Sequence, residues 1–153
     1  MVLYLRKIGA SEAEAEDAAQ EAMSQAFKAW DMIRSPRAWV RKAAFNSYVR
    51  RAESVRRESP VPEAGVLVTG RVSSTEGIHQ EKEEEWRVIA IMCQLPPEQR
   101  KVAALFYDGL PLEEIAEVTG KPAATVRSLL RHARLRLKEV VQSEGIDSPG
   151  APL

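Results

Sequence analysis

The chain has 153 residues, of which 44% are hydrophobic, 29% charged and 6% aromatic, and its formal net charge is zero. Abundant alanine and scarce aromatics favour helices over sheets, and the length suits one ordinary domain or two small ones. No apolar run approaches the roughly 18 residues that span a bilayer. The N-terminus turns acidic too early for a signal peptide, and the lone Cys93 offers no disulfide framework, so a cytoplasmic location is expected.

The zero net charge conceals segregation. Arg34 to Arg57 holds eight basic residues against one acid, Glu53, whereas Glu12 to Glu21 holds five acids and no base. Glu81 to Glu85 is a second acidic stretch. Such blocks point to one surface for a polyanion and another for a protein partner.

In chain order, a short helix is expected at residues 2–8. Ser11 and Glu14 then have capping-box spacing, in which hydroxyl and carboxylate satisfy free amides at a helix start. The helix they open is predicted to reach Asp31, with Ala15, Ala18, Ala19, Ala22, Met23, Ala26, Phe27 and Trp30 as its apolar positions. Ser35-Pro36 reads as an N-cap followed by a first-turn proline. The helix after it is expected to bury Trp39, Val40, Ala43, Ala44 and Tyr48 and to turn its arginines away. Residues 58–80 are rich in Pro, Gly, Ser and Thr and read as a linker. Helical periodicity resumes through Trp86, Val88, Ile89, Ile91, Met92 and Leu95. Pro96-Pro97 separates this from a helix over Val102–Tyr107, which Asp108-Gly109 closes. The tail, 144–153, is expected to be disordered.

Between Leu110 and Leu137 a short helix with Leu112, Ile115 and Ala116 leads through a turn at Gly120 into a second helix starting near Pro122, which is helix-turn-helix spacing. Val126, Leu129, Leu130, Ala133 and Leu137 form the docking stripe of that second helix. Arg127, Arg131, Arg134 and Lys138 form a different stripe. A helix of this kind fills the DNA major groove, with residues near its N-terminus at the base edges. Here those are Thr125, Arg127, Ser128 and Arg131, while Arg134, Arg136 and Lys138 are placed for phosphate.

The N-terminal half carries a second signature. "AEDAAQEAMSQAFKAW" (15–30) followed by "SPRAWVRKAAFNSYVRR" (35–51) resembles region 2 of the sigma-70 family, of the small extracytoplasmic-function type, through Asp17, Gln20, Glu21, Phe27, Trp30, Trp39, Val40, Ala44, Asn46, Arg50 and Arg51. "LPPEQRKVAALFYDGLPLEEIAEVTGKPAATVRSLLRHARLRL" (95–137) resembles region 4 of the same family. The resemblance implies an all-α chain of two small helical domains on a flexible linker. Residues 1–57 would be region 2, 58–80 the linker and 81–143 region 4, and the family's region 2 begins further upstream than Met1. It implies a factor that binds the RNA polymerase core and directs it to promoters, with no enzymatic activity, cofactor or metal of its own. Asp17, Gln20, Glu21, Phe27 and Trp30 would meet the clamp helices of the largest polymerase subunit. Arg37, Trp39, Arg41, Lys42, Asn46, Arg50 and Arg51 would capture and hold the opened −10 strand. Thr125, Arg127, Ser128, Arg131, His132, Arg134 and Lys138 would serve the −35 element, with region 4 also touching the polymerase flap. An anti-sigma factor would be a further partner.

Three departures from the family pattern stand out. The family pattern leads one to expect a further stretch of region 2 upstream of Met1, Leu129 and His132 replace expected arginines, and Pro111 occupies a position usually held by a capping serine or threonine. The competing reading is a stand-alone helix-turn-helix regulator. An enzyme is disfavoured because His79, His132 and Cys93 have neither metal-ligand nor triad spacing; Cys93 reads as a small buried hydrophobe.

Overall fold

A computed structural model of the protein describes residues 1–58, 80–143 and 145. The predicted linker, apart from the backbone of its two end residues, and nearly all of the tail lie outside these, as do the side chains of Arg56, Arg57, Glu58, Gln80, Glu81 and Lys82. Among the described residues there are seven α-helices and no strand: α1 (Val2–Lys7), α2 (Glu12–Lys28), α3 (Pro36–Glu58), α4 (Gln80–Cys93), α5 (Pro97–Tyr107), α6 (Leu112–Thr119) and α7 (Ala123–Ser143).

The capping box forms as its spacing implies. The amide of Glu14 donates to the Ser11 hydroxyl at 3.3 Å, and the Ser11 amide donates to the Glu14 carboxylate at 2.8 Å. Along α2, Ala15, Ala18, Ala22 and Ala26 recur every three or four residues and are all buried. Their small side chains let α2 lie close along α3, its principal neighbour. Leu5 and Tyr4 of α1, and Ala44 and Tyr48 of α3, complete this core.

The expectation that the helix runs on to Asp31 is corrected. α2 ends at Lys28, where the Ala29 amide donates to both Gln25 and Ala26 carbonyls, and a 3-10 turn over Trp30–Met32 follows. Met23 and Phe27 each follow a buried alanine by one position and so lie about 100° round the helix from it. They face solvent, Phe27 being 87% exposed. Trp30 would have rejoined the stripe had the helix continued; it is 59% exposed instead. Val88 repeats the pattern on α4, outside the buried Ile89–Met92–Leu95 line. On α3, Trp39, Val40 and Ala43 are only partly buried, whereas Ala44 and Tyr48 are buried as expected.

The second module packs α7 across α4, α5 and α6. Val102, Leu105, Ile115, Val126 and Leu130 are buried at its centre, each contributing on the order of 1.5–3 kcal/mol by burial. The two modules also pack on each other. α1 lies against α4 and α5, α3 lies against α6, and the buried residues of both halves belong to one continuous cluster.

Candidate nucleic-acid interface

The helix-turn-helix is α6, the turn at Gly120, and α7. Gly120 takes φ 66° with no atom within 4 Å of where a Cβ would stand, so its role is the left-handed turn itself. The Lys121 amide donates to the Ala116 carbonyl at 3.2 Å and the Thr119 hydroxyl to that of Ile115 at 2.7 Å, closing the end of α6. Its start has no side-chain cap, because Pro111 stands at that position.

From this turn α7 emerges with its two faces sorted. Val126, Leu130 and Ala133 are buried, while Leu129 and Leu137 are half-buried. Thr125, Arg127, Ser128, Arg131, His132, Arg134 and Lys138 are all exposed on one helix. His132 donates from Nδ1 to the Ser128 carbonyl at 2.8 Å, since a carbonyl can only accept. The Arg134 guanidinium lies 4.7 Å from the Phe106 ring centroid, a cation–π contact that holds it alongside the helix. Of the arginines on α7, Arg127 and Arg131 lie nearest its N-terminal end.

In the first module, Gln25 of α2 and Trp39, Lys42, Asn46 and Arg50 of α3 line a cleft of about 370 Å³, with Glu117 and Val118 of α6 forming its far wall. The α3 residues expected at the −10 strand fall into three groups. Trp39, Lys42 and Asn46 meet at this cleft. Arg50 and Arg51 are tied down within the module: Arg50 donates to Glu21 at 2.6 Å, and Arg51 to Asp17 at 2.8 Å and to Glu21 at 3.3 Å. Arg37 and Arg41 reach the second module. Arg41 pairs with the Asp108 carboxylate, both side chains being mostly buried, and Arg37 donates to the Asp108 carbonyl at 3.3 Å. The expectation that the α3 arginines all turn to solvent is therefore corrected for Arg41.

The residues expected to meet polymerase separate in the same way. Gln20, Phe27 and Trp30 are exposed. Asp17 and Glu21 face α3, and the Ser47 hydroxyl donates to Glu21. That hydrogen bond, seconded by Arg50 and Arg51, holds the Glu21 carboxyl below its usual range. Periodicity assigned Met23 to the core and gave no role to Met32; they are 56% and 86% exposed, as large apolar side chains close in sequence to the exposed Phe27 and Trp30. The Asp108, Glu114 and Glu117 side chains that confront α3 also escaped notice. No local pattern marks them, because the contact joins residues far apart in the chain.

Family comparison joins these halves. Residues 2–58 match the pattern described as Sigma-70 region 2, and residues 86–137 match Sigma-70, region 4. The chain belongs to the sigma-70 family. Relatives with curated descriptions place this sigma factor within the extracytoplasmic-function type. It is 29% identical over 152 residues to an RNA polymerase sigma-E factor of Streptomyces avermitilis, covering 94% of this chain and 79% of that one. It is 28% identical over 143 residues to the ECF RNA polymerase sigma factor RpoE of Cereibacter sphaeroides, covering 89% and 77% respectively. Among solved structures, the sigma factor RpoE bound to the anti-sigma factor NepR, from Bartonella quintana, superposes with a TM-score of 0.68 at 19% identity, over 95% of this chain and 91% of that one. CnrH in complex with the cytosolic domain of CnrY gives 0.65 at 21% identity, over 93% and 80%. At these identities the two structures speak to the fold, which they share with the sigma factor described here.

Proposed function

We infer that this sigma factor binds the RNA polymerase core and directs promoter-specific initiation, and that the labour divides between its two faces. The observation that carries this reading is the solvent-facing stripe Arg127–Arg131–Arg134–Lys138 on the second helix of a helix-turn-helix, in a chain whose other module is region 2. Arg127 and Arg131 offer paired donors to guanine at the −35 element, each good pair discriminating by about 1–3 kcal/mol. Arg134, Arg136 and Lys138 neutralise phosphate, which adds affinity without sequence information. Trp39, Lys42 and Asn46 border the cleft that would receive a base lifted from the −10 strand, and a flipped base needs such a walled pocket to offset its lost stacking.

Met23, Phe27, Trp30 and Met32, together with the exposed Gln20, are assigned to the polymerase-facing surface, since large apolar side chains left exposed along one helix and the turn after it suit a protein interface. Asp17 and Glu21 act behind it by fixing α2 against α3. Residues 1–57 and 81–143 serve as the region 2 and region 4 units. The factor works where polymerase and chromosome are, in the cytoplasm; among the described residues no helix is long and apolar enough to cross a membrane. An anti-sigma factor is the expected regulatory partner, in keeping with the company its structural neighbours keep.

The test separates the two faces. Phe27→Ala with Trp30→Ala should leave the melting temperature unchanged and weaken core binding by about 30-fold, the effect of losing about 2 kcal/mol at an interface anchor. Unchanged affinity for core would remove this patch from the interface.

A further inference from the structure

Two of the positions at which this chain departs from the family pattern lie on α7, and they end in different surroundings. Leu129 is half-buried and packs against the core, so that position has left the solvent-facing surface. His132 remains exposed. At about 100° per residue, Ser128, Arg131 and Leu135 lie opposite the buried Val126–Leu130–Ala133 line. Arg127, Arg131, Arg134 and Lys138 occupy one flank of this outer face, and Thr125, Ser128 and His132 the other. The His132 ring is fixed by a single bond: Nδ1 lies 2.8 Å from the Ser128 carbonyl one turn earlier, its one partner among the described residues. Because a carbonyl only accepts, the proton sits on Nδ1. In the neutral ring Nε2, on the other edge, then carries a lone pair and no hydrogen. An arginine in this place would bring five donors and no acceptor. The replacement inverts the hydrogen-bonding sense of the position.

We propose that His132 is a specificity-determining residue of the −35 contact, and that its Nε2 accepts a hydrogen bond from the exocyclic amino group of an adenine or cytosine. The inference rests on the reading of α7 as the −35 helix. In the major groove adenine shows its N6 amino group and cytosine its N4 amino group, whereas the edges of guanine and thymine offer only acceptors. A bare Nε2 set against guanine or thymine brings two lone pairs together and leaves both unsatisfied. Set against an amino base it completes a bond, so one contact both rewards the right base and penalises the wrong one. Arginine has the opposite preference, since its paired donors fit guanine. The element this factor prefers would therefore be mixed: guanine beneath the arginine flank of α7, and an amino base beneath the Ser128–His132 flank.

The experiment uses holoenzyme assembled from polymerase core and the full chain, at pH 8, on the alkaline side of the range in which histidine side chains titrate. The template is a promoter on which this holoenzyme initiates, with its upstream element fully randomised and a barcode in each transcript, so that initiation is read for every base at every position. The native chain is compared with His132→Ala, His132→Gln and His132→Arg. With the native chain one position should favour adenine or cytosine on one strand over guanine and thymine by about 5- to 100-fold, and the winner identifies the base. His132→Ala should flatten that position alone. His132→Gln, which keeps an acceptor beside a donor, should retain the amino base with adenine best, and His132→Arg should move the position to guanine. Thermal melts of the four proteins should coincide. An upstream element indifferent to residue 132, a native preference for guanine or thymine at the position that His132→Ala flattens, or an equal change at every position would overturn the inference. Failure of the −35 reading of α7 looks different and takes this inference with it: the native holoenzyme would then show no upstream element, or one that Arg127→Ala and Arg131→Ala leave untouched.

Discussion

Tyr4 is fully buried where α1 meets the rest of the chain, and its hydroxyl has no hydrogen-bond partner among the described residues. Burial pushes its phenol well above the ordinary value, and Tyr48 is raised for the same reason. A group whose folded pKa lies above the unfolded one stabilises fully below the unfolded value, near pH 10, and loses that contribution as pH rises further. The melting temperature should therefore fall once pH passes about 10. Tyr4→Phe removes an orphaned hydroxyl at constant ring volume. It is expected to be neutral or to stabilise by up to about 1 kcal/mol, and to make the alkaline decline shallower, both readable in melts across pH 7–11. Glu21 shows what residue types convey and what they leave out. Its acidity was legible, and its pairing with Ser47, Arg50 and Arg51 was not, because a contact about 30 residues distant leaves no trace in local spacing. A Glu21→Arg change would thus disturb the α2–α3 packing along with any polymerase contact, whereas Gln20→Ala probes the surface alone.

Elements were the most legible level, because each is set by neighbours within four residues. Ser11 and Glu14 formed the capping box, Gly120 the left-handed turn, and the Val126–Leu130–Ala133 line the buried side of α7. Where the reading of α2 failed, at Met23, Phe27 and Trp30, the cause was the alanine stripe: alanines bury as readily as large residues when helices lie close, so large side chains need not mark the inner face. Ser11→Ala should cost about 1 kcal/mol in denaturant unfolding, since it removes the capping hydroxyl from α2. Arg127→Ala or Arg131→Ala should leave the melt and the affinity for polymerase core unchanged and reduce −35-dependent transcription by about 5- to 100-fold, the loss of one bidentate base contact. Parallel loss of core binding in these variants would show that α7 serves polymerase and not DNA.

At the scale of the whole molecule, the family order of the two modules was readable from motifs, whereas their mutual packing was not. A tether says that two bodies are joined and nothing about whether they touch; touching depends on complementary surfaces such as Ser35–Glu114 and Arg41–Asp108, which only folding brings together. Both modules engage one promoter, on this reading, only while they ride on a much larger enzyme. The most direct measurement is transcription in vitro from sheared genomic DNA, with purified core polymerase alone and with core plus the full chain, sequencing the 5′ ends of the RNA. Discrete start sites that appear only with the chain, share paired upstream elements at fixed spacing, and weaken with Arg127→Ala or Phe27→Ala are expected. RNA ends identical to those from core alone would contradict the assignment.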